Sequence, residues 1–119
     1  MIKATKFIVL MSMVCISPID AMAQSGAIGS GKASYYSSGS RTANGEHFNP
    51  NGYTAAHRTL PFGTRLRVTN TANGHSVVVR VNDRGPFIKG RVLDLSRGAA
   101  KAIGMIDSGT AHIQMARVN

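Results

Sequence analysis

The fold is decided by the stretch Arg65-Leu66-Arg67-Val68-Thr69, which alternates polar and apolar side chains. Alternation with a period of two is typical of a strand that buries one face. The dipeptide Asn73-Gly74 follows, and after it comes the β-branched run from Ser76 to Val81. Asn-Gly is typical of a tight hairpin turn, and β-branched residues favour extended backbone. Residues 65–81 therefore predict a β-hairpin.

Further short extended segments lie on both sides of this hairpin. The sequence predicts strands at Ala33 to Tyr36, at Val92 to Leu95 and at Ala111 to Val118. Ser96 is predicted as the N-cap of a short helix that runs through Ile103. Five or six short strands with one small helix predict an all-β fold, and they favour a small closed barrel because closure removes exposed strand edges.

Two long stretches between the predicted strands are expected to be loops. Ser37 to Gly52 contains several Gly, Asn and Pro turn signals. Asp83-Arg84-Gly85-Pro86-Phe87 follows the β-branched strand, and its proline cannot donate to a ladder. Polar residues that follow directly on a strand are therefore expected at the rim of the barrel.

The composition limits the chain to one globular domain. It has 119 residues, of which 43% are hydrophobic, and this share is too high for a charged disordered chain. The single cysteine cannot form an internal disulfide or a multi-cysteine metal site. The 14 Lys and Arg against five Asp and Glu give a net charge of +9.

The N-terminus has the features of a secretory signal peptide. Lys3 and Lys6 precede the apolar run from Phe7 to Ile16, and Ala21-Met22-Ala23 supplies a small–x–small cleavage pattern. The apolar run is too short to span a bilayer as a helix. The sequence therefore predicts a signal peptide over residues 1–23, cleaved after Ala23, and an exported protein of the periplasm or cell envelope.

The mature chain is then expected to consist of a flexible Gly- and Ser-rich lead-in over residues 24–31 and a barrel domain over residues 32–119. Cleavage removes two of the 14 bases and one of the five acids, which leaves 12 and four and a net charge of +8. The hydrophobic run continues past Cys15, so a lipid anchor is not expected. A monomer without stable membrane insertion is the prediction.

A domain of charge +8 ordinarily suggests nucleic acid as its partner. Export excludes that partner and favours other anions, such as cell-wall glycans with carboxylates. The sequence also contains no run of five or more basic residues. Nucleic acid is therefore not predicted as a partner.

The mature chain contains only four carboxylates, at Glu46, Asp83, Asp94 and Asp107. The sequence has no phosphate-binding glycine loop, no metal-ligand spacing and no nucleophile elbow, which leaves carboxylate acid–base chemistry. Asp107 lies in an ordinary polar turn and is set aside. No metal and no cofactor are predicted.

Structural roles for the other candidates remain open at this point. Asp94 stands just before a helix, where its side chain can accept backbone N–H groups. Asp83 can pair with the neighbouring Arg84, and Glu46 can be a solvated surface acid. His57 can equally be a packed histidine.

Six segments of the chain together resemble the rare lipoprotein A family, in the order that the family has them. They are Gly31-Lys32-Ala33-Ser34-Tyr35-Tyr36, Arg41-Thr42-Ala43-Asn44-Gly45-Glu46, the run from Thr54 to Thr64, Val68-Thr69-Asn70, the run from Val79 to Phe87, and Gly90-Arg91-Val92-Leu93-Asp94-Leu95-Ser96. The resemblance covers nearly all of residues 31–118.

This resemblance implies a six-stranded double-psi β-barrel with lytic transglycosylase activity on peptidoglycan, directed at glycan strands stripped of stem peptides. It places Glu46, His57 and Asp83 on the family's proposed active-site positions. In the related expansins and small endoglucanases the acid lies in an Asp-Leu-Ser-like run, which here is Asp94. We rank Asp83 and Glu46 ahead of Asp94.

The mechanistic hypothesis assigns acid–base catalysis to Asp83 or Glu46 with a raised pKa, while the other carboxylate stays ionised and stabilises positive charge. His57 is expected to hydrogen-bond one of them. Four further residues are predicted to bind substrate: Tyr35, Tyr36, Arg84 and Phe87. Core packing is the alternative for at least one of the aromatic residues.

Two other functions remain open from the sequence. One is a non-catalytic, expansin-like module that binds or loosens polysaccharide. The other is an exported inhibitor or adhesin that uses only the basic surface.

Overall fold

The computed structural model describes residues 27–118. The predicted signal peptide, its cleavage after Ala23 and Cys15 lie outside the described residues. Within residues 27–118, no helix has the length and apolar character needed to cross a membrane.

Six strands and one short helix make up the described chain. They are β1 (Ala27–Tyr36), β2 (Thr54–Ala56), β3 (Arg65–Asn70), β4 (Ser76–Asp83), β5 (Arg91–Ser96), α1 (Arg97–Ala102) and β6 (Thr110–Val118). The strands close into a barrel in the order β1-β5-β2-β4-β3-β6. β1 with β5 and β2 with β4 are parallel, and the remaining neighbours are antiparallel. The predicted six-stranded double-psi β-barrel with a small helix is confirmed.

The barrel interior is filled by the apolar positions of the alternating strands. Along β3, Leu66 and Val68 are fully buried while Arg65 and Arg67 are exposed. β3 and β4 pair antiparallel across the turn at Asn73-Gly74, so the predicted hairpin is confirmed. The alternation therefore puts the arginines of β3 on the outer surface.

The first strand begins earlier than the sequence predicts. The flexible lead-in is wrong for residues 27–31, because these residues pair antiparallel with β6, Gly29 opposite Met115 and Gly31 opposite Ile113. A Cβ atom at Gly31 would lie 2.7 Å from Cγ1 of Val92. The glycine therefore permits close packing of β1 against the barrel.

β2 is the strand that the sequence pattern misses. Its three residues are all buried, and they pair with β4 on one side and β5 on the other. Three residues are too few to show a period of two. Long-range pairing, not local pattern, forms this strand.

A short helix follows Ser96, as predicted, and it ends at Ala102 with Ile103 as its C-cap. Ser96 is its N-cap, and the hydroxyl accepts the backbone N–H of Ala99. The same hydroxyl accepts the N–H of Thr54 at 3.2 Å and donates to the carbonyl of Gly52 at 2.6 Å. One buried side chain therefore joins the helix to the start of β2.

Candidate active site

Two aspartates lie on either side of a small residue on the barrel wall. Ala56 at the end of β2 is opposite Asp94 of β5 and, after a register shift, opposite Asp83 of β4. Asp83 and Asp94 are therefore two strand spacings apart, about 10 Å between Cα atoms. Register alone brings together two carboxylates that are 11 residues apart in the chain.

Asp83 is held by three hydrogen-bond donors. Its Oδ1 accepts the backbone N–H groups of Ala43 and Arg84, both at 2.9 Å. Its Oδ2 accepts the hydroxyl of Tyr36 at 3.1 Å. The donors come from three separate parts of the chain and fix both carboxylate oxygens.

Only one carboxylate oxygen of Asp94 accepts hydrogen bonds from residues 27–118. Its Oδ1 accepts the hydroxyl of Ser34, which is its neighbour in β1, and a guanidinium N–H of Arg91 at 3.2 Å. Its Oδ2 has no hydrogen-bond partner among residues 27–118, and 21% of the side chain is exposed. One oxygen of Asp94 is therefore free to contact a ligand.

Tyr36 holds one of the two aspartates, Asp83. Its ring stacks on Phe48 with centroids 4.7 Å apart, and its hydroxyl donates to Asp83. Burial raises the pKa of Tyr36 far above its usual value, and the negative charges of Asp83 and Asp94 raise it further. Tyr36 therefore remains a protonated donor that positions Asp83, and Phe48 covers one of the faces predicted to meet a sugar.

Glu46 is engaged in a different network. Its carboxylate forms a bidentate pair with Arg80, at 2.5 and 3.0 Å, and also accepts the amide groups of Asn44 and Asn82. Hydrogen bonds from Arg80, then from Asn44 and Asn82, lower the pKa of Glu46 to about 2. This shift is opposite in direction to the raised pKa expected of an acid at Glu46, and the role of Glu46 stays a prediction.

His57 was predicted to hydrogen-bond a carboxylate, but among residues 27–118 it makes no such bond. Its Nδ1 accepts the backbone N–H groups of Thr59 and Leu60, both at 3.1 Å. Burial lowers the pKa of His57, and the charges of Arg84 and Arg58 lower it further. The ring is therefore neutral, with its proton on Nε2, and it orders the loop that follows β2.

Two arginines tie the β2–β3 and β4–β5 loops together. Arg84 donates to the carbonyls of His57 and Leu60, while Arg58 donates in the other direction to the carbonyls of Pro86 and Arg91. The guanidinium of Arg84 also lies 3.9 Å from the centre of the Phe62 ring. Arg84, predicted to bind substrate, therefore has its described contacts within the protein.

The remaining predicted substrate-binding residues differ sharply in exposure. Tyr35 packs against the core, and its hydroxyl donates to the carbonyl of Ile106 at 3.0 Å, so the core alternative holds for this residue. Phe87 is 79% exposed at the tip of the β4–β5 loop. Phe87 is therefore far more accessible to a ligand than the partly buried Tyr35.

Ser34, Ala56 and Phe48 all shape this site, although no sequence pattern indicates a role for them. Ser34 and Ala56 lie in the segments that resemble the family, but their roles depend on register across β1, β5 and β2. A local sequence pattern cannot predict which residues are paired between distant strands. Residues 27–118 contain no cluster of three or more His, Cys, Asp or Glu side chains able to hold a metal ion.

The chain is similar in sequence to curated peptidoglycan transglycosylases. The chain is 58% identical over 103 residues to the probable endolytic peptidoglycan transglycosylase RlpA of Synechocystis sp., which covers 84% of this chain and 32% of the relative. The other curated relatives are also much longer than the matched region, and the chain spans between 24% and 38% of their length.

Solved structures support the same fold. The Streptomyces papain inhibitor superposes with a TM-score of 0.64 at 24% identity, covering 76% of this chain and 94% of that one. A variant of Clavibacter michiganensis expansin in complex with cellohexaose superposes with a TM-score of 0.61 at 25% identity, covering 76% of this chain and 50% of that one.

The family model described as "Lytic transglycolase" matches residues 28–115. This match contains β2 to β5 in full, most of β1 and β6, and the aspartate pair across Ala56. It agrees with the six segments that resemble the rare lipoprotein A family. The chain therefore belongs to the lytic transglycolase family of double-psi β-barrel proteins.

Proposed function

We propose that the protein is an endolytic peptidoglycan lytic transglycosylase that cleaves the bond between N-acetylmuramic acid and N-acetylglucosamine and leaves 1,6-anhydro ends. The observation that carries the proposal is the pair of Asp83 and Asp94 on either side of Ala56. Family membership supports the reaction class, and this pair supplies the two carboxyl groups that the reaction uses.

The acid–base role falls to Asp94. A protonated Asp94 gives its proton to the glycosidic oxygen as the bond to C1 of the muramic acid breaks. The resulting carboxylate takes the proton of the 6-hydroxyl, and that oxygen forms the new bond to C1. The proton returns to Asp94, no water is consumed, and the free Oδ2 is the atom suited to this transfer.

Asp83 stabilises the positive charge that develops on the sugar ring. Its carboxylate accepts three hydrogen bonds, and the one from Tyr36 fixes its orientation. This assignment reverses the order that the sequence suggested, in which Asp83 and Glu46 ranked ahead of Asp94. Glu46 instead holds the loop whose Ala43 N–H binds Asp83.

The substrate is a glycan strand stripped of its stem peptides. Loss of the peptides exposes a lactyl carboxylate on each muramic acid, and the mature domain carries 12 basic against four acidic residues. The exposed ring of Phe87 offers an apolar face for a sugar. The enzyme acts after export to the periplasm or cell envelope, as a monomer and without a stable membrane anchor.

A matched set of carboxylate variants tests the site. Asp94→Asn and Asp83→Asn are compared with Asp107→Asn, which makes the same chemical change in an exposed turn. We expect Asp94→Asn to lower the rate of release of anhydro products from stripped sacculi by about 100-fold or more, as for loss of a general acid–base. Asp107→Asn is expected to keep the wild-type rate. Full activity of Asp94→Asn would contradict the assignment.

A binding module is the second candidate. It is favoured by the likeness to an expansin variant that was solved with cellohexaose. Sedimentation of the wild-type protein with stripped sacculi, without release of any product, would support this candidate against the transglycosylase.

A further inference from the structure

Arg58, two residues after β2, bridges the two ends of the β4–β5 loop. Its Nε donates to the carbonyl of Pro86 at 2.8 Å, and its Nη2 donates to the carbonyl of Arg91 at 2.6 Å. These two nitrogens form one edge of the planar guanidinium, so a single rigid group holds both carbonyls. Pro86 stands near the start of the loop, and Arg91 is the first residue of β5. Arg58 therefore fixes the position at which β5 begins.

The first residue of β5 is also a hydrogen-bond donor to the proposed acid–base. A guanidinium N–H of Arg91 donates to Oδ1 of Asp94 at 3.2 Å. This is the only hydrogen bond that the Arg91 side chain makes with residues 27–118, and its Nε is buried without a partner among them. With no second partner there, the position of the Arg91 guanidinium follows from its backbone, which Arg58 holds.

Two donors on one carboxylate oxygen determine where the other oxygen lies. Oδ1 of Asp94 accepts the hydroxyl of Ser34 from β1 as well as the guanidinium of Arg91 from β5. A single bond to Ser34 lets the carboxylate turn about that bond, whereas a second donor from another strand restrains it. Proton transfer depends on such restraint, because a misplacement of about 1 Å can cost roughly 100-fold in rate. The position of Oδ2 therefore depends on Arg91.

Arg58 has no direct contact with a carboxylate. Its guanidinium lies more than 4 Å from every carboxylate among residues 27–118, so its effect on the reaction is indirect. Arg84 ties the same two loops in the opposite direction, through the carbonyls of His57 and Leu60. Neither of these carbonyls belongs to a residue that holds Asp94. Of the two loop arginines, Arg58 is the one connected to the acid–base.

We propose that Arg58 is a positioning residue for the acid–base carboxylate and acts on Asp94 through Arg91. The inference rests on the proposed function. The path consists of the Arg58 guanidinium on the Arg91 carbonyl, the Arg91 side chain, and Oδ1 of Asp94. Because the path orients a reacting group and does not bind substrate, its loss lowers kcat and leaves KM nearly unchanged.

A double-mutant cycle tests the path, with the release of anhydro products from stripped glycan strands as its readout. Arg58→Lys keeps the positive charge but lacks the planar edge that holds both carbonyls. Arg91→Met keeps most of the side-chain length and removes its donors. Arg67→Lys makes the same change as Arg58→Lys at an exposed position of β3 and serves as the control.

We expect Arg58→Lys and Arg91→Met each to lower kcat about 10-fold, as for a modest displacement of a general acid–base. The double variant is expected to be no slower than Arg91→Met, because Arg58 acts through that side chain. Arg67→Lys is expected to keep the wild-type kcat. Losses that multiply in the double variant, or a wild-type kcat in either single variant, would overturn the inference.

A measurement without turnover reports on the same path. In protein labelled with heavy carbon at the aspartate side chains, we expect Arg58→Lys to shift the carboxyl-carbon resonance of Asp94 and to leave that of Asp107 in place. We expect no further shift when Arg58→Lys is added to Arg91→Met. An Asp94 resonance that does not move in Arg58→Lys would overturn the inference.

The two proposals fail in different ways. Anhydro products from the wild-type protein, with kcat losses that multiply in the double variant, would overturn the positioning role alone. A shift of the Asp94 resonance in Arg58→Lys, without any product from the wild-type protein, would support the path and overturn the transglycosylase.

Discussion

Glu46 illustrates how the surroundings of a residue decide its chemistry. Arg80 and the amides of Asn44 and Asn82 occupy its carboxylate and lower its pKa to about 2. A group that holds no proton at neutral pH cannot donate one. The same bonds anchor the loop of residues 41–47, from which Ala43 donates to Asp83. Glu46 therefore acts on the site through the loop.

The lowered pKa of Glu46 predicts a dependence of stability on pH. Its folded-state pKa of about 2 lies below the ordinary value of 4.5, so it stabilises the fold fully above pH 4.5 and loses that contribution as the pH falls towards 2. We expect Glu46→Gln to melt below the wild type at pH 7 and the gap to close on acidification. A gap that stays constant from pH 7 to pH 2.5 would contradict the Arg80 pairing.

Tyr36 allows a test of the position of Asp83. Tyr36→Phe removes the donor to Asp83 and keeps the stack on Phe48. Because hydrogen bonds to charged groups contribute about 1.5–3 kcal/mol, we expect kcat to fall roughly 10- to 100-fold with little change in KM.

The neighbouring tyrosine provides the control for this variant. Tyr35→Phe makes the same change but removes a bond to the carbonyl of Ile106 in the core. We expect wild-type kcat and a loss of stability of about 1 kcal/mol. Equal kcat losses in the two variants would indicate a merely structural role for Tyr36.

At the scale of elements, local patterns predict local structure well. The β3–β4 hairpin has alternation, a turn dipeptide and β-branched residues within 17 residues, and α1 begins at a residue with a capping side chain. β2 and residues 27–31 depend instead on partners far along the chain, β4 and β5 for the former and β6 for the latter. The sequence patterns contain no information on that pairing.

Ser96 is the element-scale position with the largest expected effect. Ser96→Ala removes the N-cap of α1 and leaves the Thr54 N–H and the Gly52 carbonyl without this partner. We expect the free energy of unfolding in urea to fall by about 1–3 kcal/mol. Ser108→Ala serves as the control with a smaller loss, because the Ser108 hydroxyl donates to the carbonyls of Met105 and Thr110, both nearby in the chain. Similar losses in Ser96→Ala and Ser108→Ala would contradict the proposal that Ser96 links α1 to the start of β2.

At the scale of the whole molecule, the sequence predicts which carboxylates are candidates but not what each of them contacts. The scarcity of acids led to Glu46, Asp83 and Asp94; the loop of residues 41–47 joins Glu46 to the end of β4 at Asp83, while Asp94 lies on β5 across Ala56. Which carboxylate keeps a free oxygen depends on hydrogen bonds between strands and loops. Such bonds follow from register and packing, which the sequence does not display.

The excess of basic residues predicts a salt dependence. Attraction between a basic domain and a polyanionic strand is screened beyond a Debye length, which is about 10 Å at 0.1 M salt. We expect KM for stripped strands to rise several-fold between 0.05 M and 0.5 M salt, while strands with amidated lactyl groups show little change. A salt effect of equal size on both substrates would contradict charge recognition.

The central claim is that bond cleavage proceeds by internal attack of the 6-hydroxyl, without water. The most direct measurement is mass spectrometry of the products formed by the wild-type protein from stripped glycan strands in water labelled with heavy oxygen. The proposed roles of Asp94 and Asp83 predict 1,6-anhydromuramic ends that contain no label. Labelled reducing ends, which require hydrolysis, would contradict the account.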